Sequence, residues 1–230
     1  MTHGSACVGL VSGDFVVLAA LRRAESELAS YTRKITRLDD HVGAAVSGLI
    51  PDGAAQCDFL RHECIDEKWR YEAPVPIGRL VRSLGDKNQV YTQRSEKRPA
   101  GVGLLVAGYD FTGPHLFETS PSGDVWEFRA QAIGARSQAA KTYLEKHIDA
   151  FSAPAAGTGL REAVLHAVRS LKGAAQDKLT AEGLQIAYVG KDTVFTVLED
   201  DDVREYVDAI AQEDLDAEAA AQPAAMVEDA

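Results

Sequence analysis

The chain reads as an α+β protein built from antiparallel sheets covered by helices, and three observations lead there. The first is the order of elements: strands, two helices, strands, two helices, strands, one helix. That order suits two helix-covered sheets far better than an alternating parallel βαβ sheet. The second is the joints between apolar runs. Ser12 with Gly13, the Ser-Pro-Ser-Gly of residues 120–123, and Gly190 with Lys191 and Asp192 are turn formers that fold neighbouring runs into hairpins. The third is the change to helical spacing between the strand groups.

Taken in order, residues 6–11 and 14–20 form an opening hairpin, and 34–38 with 42–48 form a second around Asp39, Asp40 and His41. Small residues dominate the latter run (Gly43, Ala44, Ala45, Ser47, Gly48), which suits the close approach of another layer or another chain. Pro51 fits the first turn of a helix running to about residue 69, with Cys57, Leu60 and Cys64 on its inner face. Pro74 and Pro76 interrupt the pattern before a second helix over 77–93, which carries Leu80, Val81 and Leu84 on one side. Residues 101–109 are apolar enough for a strand buried on both faces, and 115–119 and 124–129 follow as strands. From Gln138 the spacing is helical, with Ala140, Tyr143, Leu144, His147, Ile148 and Phe151 on one face. Residues 152–157 read as a linker, and Thr158 as the N-cap of a helix facing inward through Leu160, Val164, Ala167, Val168 and Leu171. A hairpin of 184–189 and 193–198 precedes a last helix begun by Asp200, Asp201 and Asp202, where acids suit the positive end of the dipole. The reading gives a single domain over 1–211 and an acidic, alanine-rich, disordered tail over 212–230.

Composition excludes several classes. The 230 residues are 46% hydrophobic, ordinary for a globular protein with one sizeable core. The net charge of −11 is local: residues 199–230 hold twelve acids and one base, Arg204, so the remainder is balanced. No clustered basic stripe favours nucleic acid, and no apolar run reaches the roughly 18 residues of a membrane span. The sequence therefore predicts neither nucleic-acid nor membrane partners. Three cysteines without C-x-x-C spacing point to a reducing, intracellular compartment.

Long ordered strings carry a resemblance. R-P-x-G-V-x-L-L-x-A-G-x-D from Arg98, G-P-x-L-F-x-T-x-P-S-G from Gly113, and A-I-G-x-x-x-x-x-A-x-x-x-L-E from Ala132 resemble the 20S proteasome subunit family on its α branch. The run from Arg23 to Leu28, that from Arg61 to Cys64, and that from Ile133 to Gln138 are similar to its type-1 subfamily. The resemblance covers roughly residues 4–210. It implies a four-layer αββα sandwich of the N-terminal-nucleophile hydrolase type. It also implies a non-catalytic place in a hetero-heptameric α ring, contacts with other α subunits and with β subunits, and docking of a regulatory particle or other activators. Its setting would be ubiquitin-dependent protein degradation in cytoplasm and nucleus. Family α subunits carry a gating tail and a helix ahead of the first strand, whereas this sequence opens almost directly on that strand, so no gate residues are carried over.

The competing reading is a catalytic N-terminal-nucleophile threonine or serine peptidase, in which a free α-amine activates the hydroxyl. By the same resemblance, catalytic relatives carry an aspartate where Leu21 stands before Arg22, Arg23 and Ala24, and their nucleophile aligns with Ser5. Ser5 follows Gly4, so its nitrogen is an amide, and Thr2 lies out of register; only Lys34 of that constellation is present. A third reading is an isolated subunit with a separate binding role. Cys57, His62 and Cys64 lack a shared face for a metal, the glycines at 101, 103, 157 and 159 do not make a dinucleotide site, and no cofactor is expected. Ser122 and Ser137 read as turn and cap residues. In K-I-x-x-x-D-D-x-V-x-x-x-x-S-G, the resemblance implies that Lys34 lines a pocket between adjacent α subunits, with Gly48 beside it, where an activator's C-terminal carboxylate docks.

Overall fold

The computed structural model describes residues 4–24, 26, 28–152, 159–175 and 179–221. Among these described residues, ten strands form two antiparallel five-stranded sheets. In chain order they are β1 (Cys7–Ser12), β2 (Phe15–Leu21), β3 (Ile35–Asp39), β4 (Val42–Gly48), β5 (Val102–Asp110), β6 (Gly113–Thr119), β7 (Val125–Glu127), β8 (Ala130–Ile133), β9 (Leu184–Gly190) and β10 (Thr193–Val197). One sheet has the order β10-β9-β2-β1-β8 and the other β3-β4-β5-β6-β7. The helices are α1 (Ile50–Tyr71), α2 (Ile77–Gln93), α3 (Ser137–Lys146), α4 (Ile148–Ser152), α5 (Leu160–Lys172) and α6 (Asp200–Ala221).

Side chains alternate along a strand, and here both alternating sets are buried. In β1 and β2, Val8, Leu10, Val17 and Ala19 face α3–α6, while Cys7, Val16, Leu18 and Ala20 face the opposite sheet. In β5, Val102, Leu104 and Val106 pack under α1 and α2, and Leu105 and Ala107 look inward. Three apolar cores therefore separate four layers, the αββα sandwich that the sequence implied. Burial of both faces explains why 101–109 is continuously apolar, where a half-solvated antiparallel strand would alternate.

The small residues of β4 bring the sheets together. A Cβ on Gly43 would lie 2.2 Å from the ring of Phe195, which sits on β10 of the other sheet. The close approach is thus to another layer of the same chain. At the open edges, side chains take the place of missing strands. Gln185 on β9 and Arg61 on α1 bond backbone groups of edge strand β3, and Gln131 caps the Ala132 N–H on edge strand β8.

Four sequence expectations are corrected. The run 124–129 is not one strand: β7 ends at Glu127, and β8 crosses to pair with β1 in the other sheet. The single helix expected after Gln138 breaks at His147, whose amide bonds the carbonyls of both Tyr143 and Leu144 while its ring donates to Tyr143 at 2.8 Å. Ala140, Leu144 and Phe151 still share one core across that break. The Ser137 cap does not form: Arg136, with φ +58, precedes α3, so Ser137 is its first helical residue. Gly159 stands immediately before α5, and Thr158, read as its cap, lies outside the described residues. Finally, α6 runs on to Ala221, through the first part of the segment read as disordered. Alanine, glutamate, glutamine and leucine, which dominate that segment, are strong helix formers. The remainder of that segment, 222–230, lies outside the described residues, as does the linker of 153–158. No helix is long and apolar enough to cross a membrane among the described residues.

Two predictions follow from the packing. Gly43→Ala should lower stability by about 1–3 kcal/mol, the usual cost of overpacking, because a fully enclosed Phe195 ring has nowhere to move. Adding Phe195→Leu should recover part of that loss, measured as non-additivity in denaturant unfolding. The second concerns His166 on α5, whose Nδ1 meets the Tyr143 hydroxyl at 3.1 Å. Burial holds its pKa below the ordinary 6.5, helped by Arg169 and His147 and opposed by Glu162 and Glu213. Folding therefore favours neutral His166, so its contribution is complete above about pH 6.5 and is lost as pH falls toward the lowered folded value. His166→Phe should flatten the fall of unfolding midpoint over that acidic window; an unchanged slope would assign the acid sensitivity to other groups.

Candidate functional site

One end of the sandwich gathers the start of β1, the end of β2, the start of β3 and the end of β4. Here the structure brings Ser5, Leu21, Lys34 and Gly48 into one neighbourhood. The Ser5 hydroxyl donates to the Leu21 carbonyl at 2.5 Å, so its proton is already committed to an acceptor that is no base. The Ser5 carbonyl receives the Lys34 ammonium at 3.4 Å and the Ser47 hydroxyl at 3.4 Å. The Cys7 sulfur lies 3.8 Å from it and 3.5 Å from the Val46 carbonyl, so its single proton is shared between the two. Thr2 lies outside the described residues.

Two glycines make this convergence possible. Gly134 has φ +97, and a Cβ there would fall 2.6 Å from the Ser5 carbonyl oxygen and 2.7 Å from the Ser47 hydroxyl. Gly48 has φ +134, and its Cβ would meet the Gly101 carbonyl oxygen at 2.3 Å. Only glycine adopts such a conformation readily at so close a contact. The chain beside Gly48 is pinned further: Leu49 N–H donates to the Gly101 carbonyl at 3.0 Å, and Asp52 accepts the Gly101 N–H at 2.9 Å. Asp52 also takes both arms of the Arg98 fork, at 2.7 and 2.8 Å. The Arg98 and Gly101 hydrogen bonds hold the Asp52 carboxyl below its ordinary range.

Lys34 and Gly48 line a depression of about 80 Å³, shared with Arg33, Thr36, Val46, Ile50, Ala54 and Cys57. Lys34 is 9% exposed. Its pKa is lowered by burial, with the neighbouring Cys7 thiol raising it and Arg23 adding to the lowering. Cys7 is pushed up to about 11 by burial, against the lowering influence of Lys34. That thiol is a protonated, unreactive neighbour near neutral pH.

The other candidates stay apart. Cys57 and Cys64 are buried in the core under α1, with thiols raised by burial to about 11 and about 12, while His62 is exposed and donates to the Asp58 carbonyl. No cluster of three or more His, Cys, Asp or Glu suited to a metal occurs among the described residues. Ser122 is a turn residue bonded to Ser120 and Asp124. Trp69 and Trp126 are both outside the core, on the surface of α1 and of β7. Sequence reading did not single out Gln185, which bonds the backbone of Lys34 from the opposite sheet. A lone glutamine in an apolar strand was the available signal.

A helix-covered pair of antiparallel sheets, with Lys34 at the mouth of the sandwich and a hydroxyl at the start of β1, defines a subunit of the N-terminal-nucleophile sandwich type. Comparison with known proteins gives the family: residues 1–189 match the model described as proteasome subunit, and the chain belongs to that family. It is 46% identical over 211 residues to proteasome subunit alpha type-1 of Trypanosoma brucei rhodesiense, across 90% of this chain and 78% of that protein. Proteasome subunit alpha type-1 of Dictyostelium discoideum is 42% identical over 215 residues, across 92% and 85% of the two chains. A probable proteasome subunit alpha type-6 of Schizosaccharomyces pombe is 40% identical over 210 residues, across 90% and 76%.

Proposed function

We propose that this chain is a non-catalytic α-ring subunit of the 20S proteasome core particle. It assembles with other α subunits in a hetero-heptameric ring stacked on β subunits. There it restricts substrate entry and offers a pocket to a regulatory particle or other activators. The observation that supports the non-catalytic role is at the nucleophile position. Ser5 is joined to Gly4 by an amide, and its hydroxyl donates to the carbonyl of Leu21, where catalytic relatives place a carboxylate. Among the described residues the hydroxyl meets neither an α-amine of its own residue nor a carboxylate that could take its proton. The cytoplasm and nucleus are the proposed compartments, checked by fractionation, and ubiquitin-dependent degradation the proposed setting.

Lys34 is the residue to which we assign activator docking, with Gly48 forming the adjacent wall. An ammonium has three donors, and among the described residues that of Lys34 reaches one acceptor, a shared carbonyl at 3.4 Å. A carboxylate supplies the charge and the acceptors that this buried group lacks.

Two outcomes test the reading. Particles carrying this chain with every β subunit inactivated should hydrolyse no fluorogenic peptide; turnover that disappears in Ser5→Ala would restore the peptidase reading. For docking, Lys34→Ala should weaken binding of an activator tail by about 1.5–3 kcal/mol, the range for hydrogen bonds to a charged group. A fully solvated pair would lose under about 1 kcal/mol. Amidating the tail's C-terminus should abolish most of the difference between wild type and Lys34→Ala; an equal loss for both tails would mean that Lys34 acts through structure. Because burial lowers the pKa of Lys34, free-acid affinity should also decline at a lower alkaline pH than an ordinary lysine would give.

A further inference from the structure

Gln185 lies on β9, in one sheet, yet its carboxamide is spent on the other. Its Oε1 accepts the backbone N–H groups of Lys34 and Ile35, each at 2.9 Å, and its Nε2 donates to the Ile35 carbonyl at 3.2 Å. The orientation of the amide is fixed by its partners, because two N–H donors require the oxygen and a carbonyl requires the NH₂. Gln185 is 8% exposed, so these bonds are made out of water.

The place of these bonds gives them their meaning. β3 is an edge strand, paired on one side with β4 from Ile35↔Ala45 onward. On that side the Lys34 carbonyl accepts the Val46 N–H at 2.9 Å. On the other side no strand lies among the described residues, and the amides of Lys34 and Ile35 would face the cleft between β3 and the start of α6. The Gln185 carboxamide stands there as one peptide unit of a neighbouring strand. Lys34 is thereby held through its carbonyl by its own sheet and through its N–H by the opposite one. The direction in which its side chain leaves the backbone, toward the Ser5 carbonyl and the depression beside Gly48, follows from that double hold.

We propose that Gln185 is a positioning residue for the Lys34 docking pocket: it sets the backbone from which the ammonium meets an incoming carboxylate. This inference rests on the docking role assigned to Lys34 above. The requirement is chemically narrow. A carboxamide accepts two N–H bonds on its oxygen and donates to a carbonyl from a separate nitrogen. Serine and threonine hydroxyls are too short to reach, and asparagine is one methylene too short to cross between the sheets. Glutamate would present a second negative oxygen to the Ile35 carbonyl, and apolar isosteres would leave three backbone groups to water.

The test uses assembled particles and two probes, a labelled peptide ending in a free α-carboxylate and its amidated twin. The readout is the ratio of their affinities, with amide hydrogen exchange at Lys34 and Ile35 recorded alongside. Gln185→Met should speed exchange at both amides and cut the preference for the free acid by about tenfold, the equivalent of one well-made charged hydrogen bond, while amide binding holds. A merely structural role would weaken both peptides alike. Where Gln185→Met particles do not assemble, Gln185→Asn carries the same expectation. Faster exchange with an unchanged ratio would overturn the positioning role and leave the Lys34 docking reading standing. An unchanged ratio in Lys34→Ala would instead remove the docking reading, and this inference with it.

Discussion

Everything in this fold depends on two sheets meeting face to face across a core with almost no slack. Phe195 fills the space that a side chain at Gly43 would need, and Leu116 does the same above Gly9. Because the outer faces are covered by helices as well, each central strand must be apolar on both sides, and polar groups are driven to strand ends and sheet edges. A sandwich of this kind has four exposed edge strands, and unpaired backbone there invites pairing with other chains. Side chains close part of that edge. Gln185 and Arg61 do so along β3, and Gln131 does so along β8, where its amide is in turn held by Glu118 at 2.7 Å.

The mouth of the sandwich is a consequence of the same constraint. Where β1 begins and β4 ends, the backbones of Gly4, Gly48 and Gly134 come close enough that no Cβ fits between them and their neighbours. That crowding aims the Ser5 carbonyl into the site and turns its hydroxyl back to Leu21. A nucleophile would need the reverse: a hydroxyl facing solvent beside a base, and a backbone nitrogen free to serve. Among the described residues the scaffold that could support such chemistry is present, and the Ser5 hydroxyl faces a carbonyl in place of a base.

Much of this was legible in the sequence. Runs such as Gly101–Tyr109, turn residues such as Pro121 with Gly123, and helical spacing through Leu80, Val81 and Leu84 each follow a local rule, and α2 spans the residues its spacing gave. What escaped was set by partners that no period in the sequence marks. β8 is four residues long, and only its pairing with β1 makes it a strand. His147 ends α3 through its own hydrogen bonds to Tyr143, although the apolar period continues through it. At the site, Lys34 and Gly48 could be singled out by resemblance, but Gln185 could not, since its partner lies 151 residues away and no periodicity marks it.

The Ser5 carbonyl also explains why Lys34 is held without being saturated. A carbonyl oxygen has two lone pairs, and on this one Lys34 meets the Ser47 hydroxyl, with the Cys7 thiol shared between it and the Val46 carbonyl. Ser47 and Cys7 are short side chains on strands and cannot leave. Lys34 has a flexible four-carbon stem, and its contact, at 3.4 Å, is long for an ammonium facing an oxygen. Burial meanwhile makes the charged form costly, which is why the pKa is lowered. A weakly held cation in a mostly buried position gains from any anion that reaches it, and gains more than a solvated lysine would. The depression beside Gly48, about 80 Å³, is too small for a folded partner. On the proposed reading, a terminal carboxylate would therefore replace a long, shared hydrogen bond with a charge-assisted one, without Ser47 or Cys7 having to move.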